Sequence, residues 1–142
     1  MAYSISIAAA NATLDAFLST FQTGGVIEIR NGVRPATADT AATGVVLATV
    51  PLGTNAFEAA GTTTARLAGL VAAINDPLGD AAGSATWFRM YDNAVTASAV
   101  RILDGTVGAL ASGADMELDD GAGGTAITTV DTVTIATLTV SL

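Results

Sequence analysis

Residues 84–108 read SATWFRMYDNAVTASAVRILDGTVG, the most distinctive stretch of the chain. Alternation here predicts two β-strands, Thr86–Asp92 and Ala99–Asp104. A polar turn joins them, and Asp104-Gly105 signals a further turn. The stretch holds the only Trp of the chain, Trp87, with Phe88, Arg89, Tyr91 and Arg101. In the first strand Phe88 and Met90 share one face, while Trp87, Arg89 and Tyr91 share the other. Phe88 and Met90 read as core. The opposite face sets two aromatics around an arginine, a combination enriched at interfaces, where guanidinium can stack on rings. It is expected to meet a second sheet or a protein partner. In the second strand Val100 and Ile102 are expected to point inward.

The flanking segments read as more of the same architecture. Residues 8–22, AAANATLDAFLSTFQ, place Leu14, Phe17, Leu18 and Phe21 on one helical stripe, and Gly24-Gly25 supply the stop. Residues 26–30, VIEIR, alternate as a half-buried strand. A polar loop from Asn31 to Gly44 follows, long enough to suggest a binding segment. Residues 45–52 form a second strand, with Pro51 marking its end or a sheet edge. The segment 62–75 carries a helical stripe in Leu67, Leu70, Val71 and Ile74, but its Thr run and Gly69 favour an extended reading. Residues 115–119 alternate with Met116 and Leu118 apolar. In 126–142 the apolar parity switches at Ala136-Thr137, predicting a β-bulge or a strand buried on both faces. The expected fold is therefore a single domain over 1–142. It is mainly β, an antiparallel sandwich or barrel from about residue 25, with one short amphipathic helix at about 8–22.

Composition excludes more than it assigns. The chain has 13 acidic residues and five basic ones, all arginine, for a net charge of −8. That balance argues against nucleic acid, whose phosphates demand clustered cations, and against anionic membranes. Only 13% of residues are charged, well below the usual quarter, which suits a subunit covered by neighbours. The N-terminus lacks a basic segment before an apolar run, so no secretory signal is expected, and no apolar run reaches membrane-spanning length.

Catalytic equipment is scarce. Without His or Cys, no Ser–His–Asp or Cys–His site can form within the chain, and without Lys there is no Schiff base or P-loop. The remaining carboxylates sit in turns, where Asp caps local backbone. The chain is read as a non-enzyme. Calcium is the one cofactor that merits a test, at Asp115, Glu117, Asp119 and Asp120 beside a glycine turn, since carboxylate oxygens suit that ion. The spacing does not meet the EF-hand pattern, so a solvated acidic turn with no cofactor is the expectation.

Several segments together resemble small virion structural proteins of tailed bacteriophages and prophages. They are the amphipathic helix (8–22) followed by GGVIEIRNGVRPATADTAATGVVLATVPL (24–52), then NAFEAAG (55–61), GSATWFRMYD (83–92), LDGTVG (103–108), SGADMELD (112–119) and VTIATLTVSL (133–142). The segment 62–82 departs most, since family members look strand-like there. The resemblance implies a β-sandwich or barrel made in the host cytoplasm and carried on the virion. As a capsid decoration or cement protein it would bind the major capsid protein and copies of itself. It would bind neither nucleic acid nor membrane. The expected contacts are Arg34 with loop 31–44, and Trp87, Arg89 and Tyr91. The alternatives are a tail or neck component, and a carbohydrate- or receptor-binding module using Trp87 as its aromatic platform. A carboxylate hydrolase is the third class, with no residue pair pointing to it.

Overall fold

The computed structural model describes residues 4–62 and 67–141. Helix α1 spans Ile7–Ser19, and the strands are β1 (Val26–Arg30), β2 (Val46–Pro51), β3 (Leu67–Gly69), β4 (Ile74–Asp76) and β5 (Gly83–Ser84). They continue with β6 (Trp87–Tyr91), β7 (Ile102–Ala109), β8 (Met116–Asp119), β9 (Ala126–Ile127) and β10 (Val133–Ser141). One sheet runs in the order β2-β1-β6-β7-β8-β10-β3, with β4 also on β10, and curls into a half-barrel. A small β5-β9 ladder stands beside it. The fold is mainly β with a single N-terminal helix, as the alternation predicts. The sheet is mixed, because β7 and β8 run parallel while the other pairs are antiparallel.

Local chemistry explains the helix limits. Ser6 caps the N-terminus, its hydroxyl accepting from the Ala9 amide at 3.2 Å. The chain leaves the helix through Thr20, and Gly24 takes φ 107°, a left-handed conformation that glycine adopts without a Cβ penalty. Leu14, Leu18 and Phe21 are buried in the same cluster as Ile27, Ile29, Phe88, Met90, Met116, Leu118, Ile135 and Leu138. The predicted stripe is therefore the surface that joins helix to sheet. Phe17 is half-buried and meets Phe21 edge-on, with ring centroids 5.0 Å apart.

Strand β10 carries the predicted bulge. Its pairing with β8 shifts register between Ile135 and Thr137, so Val133, Ile135, Leu138 and Val140 are all buried although their parity changes. The other edge of the same strand takes β4 at Val133–Ile135 and β3 at Thr139–Ser141. Residues 67–69 and 74–76 are thus extended, while Thr63–Arg66 lie outside the described residues.

At the far edge of the sheet, β2 meets residues 76–80 through two side-chain contacts and a backbone bond instead of a ladder. The Thr49 amide donates to Asp76 Oδ2 at 3.0 Å, its hydroxyl to Asp80 Oδ2 at 2.8 Å, and the Asp80 amide to the Leu47 carbonyl at 2.7 Å. These contacts occupy polar groups along an edge that would otherwise invite pairing with another chain.

The second half of the opening stretch corrects the sequence reading. Thr96–Ser98 form a short 3-10 turn, β7 starts only at Ile102, and Val100 is 82% exposed. Asp104-Gly105 is no turn; both residues pair with β6 inside β7. The glycine answers a packing demand: it stands opposite Phe88, and a Cβ at Gly105 would overlap that ring.

Candidate functional site

The outer face of β1, β6 and β7 is a row of charges in register. Glu28 pairs with Arg89, which pairs with Asp104, so a cation lies between two carboxylates across three strands. Two positions along β1, Arg30 lies opposite Trp87. The Arg30 and Arg89 guanidiniums stand 5.8 and 5.6 Å from the indole centroid. The lone tryptophan is therefore bracketed by two cations, a geometry that favours the π face.

Arg89 is the anchor of this row. It is 3% exposed and the one buried charged residue among those described. Its Nε and Nη2 donate to the two oxygens of Asp104 at 2.6 and 2.7 Å, a bidentate pair. Its Nη1 donates to the Thr40 carbonyl at 2.8 Å. The hydrogen bond to Asp104 raises the Arg89 pKa against the opposing effect of burial, so the cation is fixed. Tyr91, at the end of the same face, has its phenol pKa pushed up first by burial and then by the Glu28 charge.

Loop 31–44 is the roof over this row. The Trp87 indole donates to the Asn31 carbonyl at 3.0 Å, and Arg30 Nη1 donates to the Thr43 and Gly44 carbonyls at 3.2 Å each. Within the loop, the Thr43 hydroxyl donates to the Val33 carbonyl and the Val45 amide to Asn31 Oδ1 at 2.7 Å. A long polar loop is thereby held at both ends and in the middle by arginine and tryptophan side chains from the sheet. Trp87 and Tyr91 are 1% and 7% exposed, so the face expected to meet a second sheet or a partner is filled from within the chain. Arg34 is different: it is exposed on the outside of the loop beside Val33, which is 83% exposed. Of the four residues expected as contacts, the structure sets Trp87 and Arg89 against the loop, buries Tyr91 on the same face of β6 and leaves Arg34 exposed. The missing signal was Thr40: no periodicity marks a loop carbonyl as the further acceptor of a buried arginine.

The acidic residues weighed for calcium work separately. Asp115 Oδ2 accepts from the Thr106 amide and hydroxyl at 2.8 Å each. Glu117 accepts from the Gly113 amide at 2.9 Å, which holds its carboxyl below the usual range. Asp119 caps the Gly121 amide, and Asp120 caps Ala122 and Gly124, whose amides lower the Asp120 pKa. Among the described residues no three acidic side chains converge on a common metal position.

A cleft of about 520 Å³ opens between the end of β8, the glycine turn and residues 126–134. Leu118, Ile127 and Val133 form its apolar floor, and Asp119, Asp120 and Asp131 stand on its walls. Among the described residues no helix is long and apolar enough to cross a membrane. No protein family, curated protein or solved structure matches the chain.

Proposed function

We propose that the chain is a virion structural protein of a tailed bacteriophage that acts through contact surfaces, as a decoration or cement subunit on the capsid. The observation that carries a contact role is the roof loop. Loop 31–44 is pinned to the sheet by Arg89, Trp87 and Arg30, so its outer surface is preorganised before any partner arrives. Binding through such a loop avoids much of the ordering entropy that a flexible loop of that length would lose. The virion assignment itself rests on the resemblance of the helix and of segments 24–52, 55–61, 83–92, 103–108, 112–119 and 133–142. The sparse surface charge and a net charge of −8 suit docking onto a basic patch of a protein shell.

The glycan-binding alternative loses its candidate platform. Trp87 is buried, and among the described residues no aromatic side chain is exposed. A tail or neck position differs from the capsid reading only in the partner. Cryo-electron microscopy of the particle tests the assignment: density for this fold on the outer capsid, with loop 31–44 at a contact to the shell or to a neighbouring copy, is the expected result. Density in the tail would move the protein there, and its absence from purified particles would overturn the virion reading.

A further inference from the structure

We propose that two copies of this chain associate by placing the exposed Val33-Arg34 pair, near the start of loop 31–44 of each, into the acidic cleft of the other. The inference rests on the reading of loop 31–44 as the contact segment and adds the partner it meets.

The Val33-Arg34 pair and the cleft are complementary in charge and in apolarity. Arg30 and Arg101 are paired to Glu28 and Asp92, and Arg89 is buried on Asp104. Arg34 is the one exposed arginine among the described residues that has no ion-pair partner. Beside it Val33, 83% exposed, offers an apolar side chain to solvent. The cleft has the converse character. Its floor is Leu118, Ile127 and Val133, its walls carry Asp119, Asp120 and Asp131, and no cation lines it. Asp119 and Asp131 each use one oxygen on a turn amide, Gly121 and Thr128 respectively, which leaves the other free to accept. A cavity of about 520 Å³ lies within the range of roughly 300–1,000 Å³ that admits side chains or small ligands. Val33 on the floor and Arg34 between the aspartates would fill both halves of it.

The start of the loop, which Val33 and Arg34 adjoin, also neighbours the cleft. The Thr86 amide donates to the Arg30 carbonyl at 3.0 Å and its hydroxyl to the Gly32 carbonyl at 2.7 Å. The amide of the preceding residue, Ala85, donates to the Thr125 carbonyl at 2.8 Å, and β5 pairs directly with Ala126–Ile127 of the cleft wall. The loop base is thus one short strand away from the cleft. Adjacent plug and socket suit a two-fold axis, across which each copy gives a Val33-Arg34 pair and receives one, so the assembly closes as a dimer. The loop itself need not reorganise, because Arg89 and Arg30 already hold it.

The experiment is sedimentation velocity on the purified full chain over a wide concentration range. Wild type is expected to dimerise at about 0.15 M salt, where repulsion between two chains of net charge −8 is screened beyond about 8 Å, and to dissociate at about 1 M salt, where screening is effective beyond about 3 Å. Arg34→Glu should weaken the dimer at least about tenfold. Val130→Arg, at a cleft residue that is 79% exposed, should do the same by opposing Arg34. Both sites are on the surface, and circular dichroism confirms that each variant is folded. The doubly substituted chain should recover dimer, since the carboxylate introduced at position 34 then faces the cation introduced in the cleft. A wild type that stays monomeric overturns the proposal, as does a dimer indifferent to Arg34→Glu or a double variant that fails to recover. None of these outcomes bears on capsid binding, which the particle structure tests separately.

Discussion

Removing Asp104 should damage this protein far more than its place in a strand near the surface suggests. In Asp104→Ala, Arg89 loses two charge-assisted hydrogen bonds of 2.6 and 2.7 Å while staying 3% exposed. The carboxylate opposite it on β1, Glu28, is already held by Arg30 at 2.7 Å. What remains is a buried cation with one carbonyl, that of Thr40. Breaking a buried pair in this way costs about 3–5 kcal/mol, a large part of the total stability of a domain. For a chain of this length the loss lowers the melting midpoint by about 10–20 °C. Removing both charges with Arg89→Met and Asp104→Leu should cost less than Asp104→Ala alone, because no uncompensated charge remains. Urea unfolding of the two variants and the wild type measures this directly. A loss under about 1 kcal/mol for Asp104→Ala, the range of exposed ion pairs, would refute the claim that the row is sealed by loop 31–44.

Three further outcomes follow from the packing. Gly105→Ala drives a methyl into the Phe88 ring and should cost about 1–3 kcal/mol by urea denaturation, with Phe88→Leu restoring part of it. Leu14→Ala opens a hole where α1 meets the sheet, at a side chain that is fully buried, and should cost about 2–5 kcal/mol by the same assay. The turns around Glu117 and Asp120 should loosen in acid. Their carboxyl pKa values are depressed in the fold, so the stability they contribute is present above the ordinary values of 4.5 and 3.8. It is lost as pH falls through the lower folded values. Amide signals of Gly113 and Gly124 followed by NMR should therefore shift only below those values, and a shift centred at or above them would refute the assignment.

Strands whose two faces differ were legible from the residues. VIEIR and MELD alternate because one face enters the core, and the parity switch in β10 forecast its bulge. The helix was legible for the same reason. Strand β7 was not, since Asp-Gly is locally a turn signal and only the neighbouring Phe88 ring explains the glycine. The short ladders of β3, β4, β5 and β9 exist through partners distant in the chain and leave little periodicity to read. The candidate site was half legible. Trp87, Arg89 and Tyr91 announced a covered face, but its cover is a polar loop whose carbonyls carry no sequence signature.

Strand β10 gives the molecule an order in time. It bridges β8 on one side and both β3 and β4 on the other, yet it comes after all of them in the chain. While a ribosome is still making the protein, β4 has no ladder to join, β3 has only its backbone bonds to residues 56–61, and the half-barrel cannot seal. Pairings this distant in sequence place folding in the slow regime of β-rich domains, about milliseconds to seconds. Until residue 141 is free, the apolar faces of α1, β1 and β6 wait without their far wall, and a chain cut short before Val133 would carry that exposed surface for good.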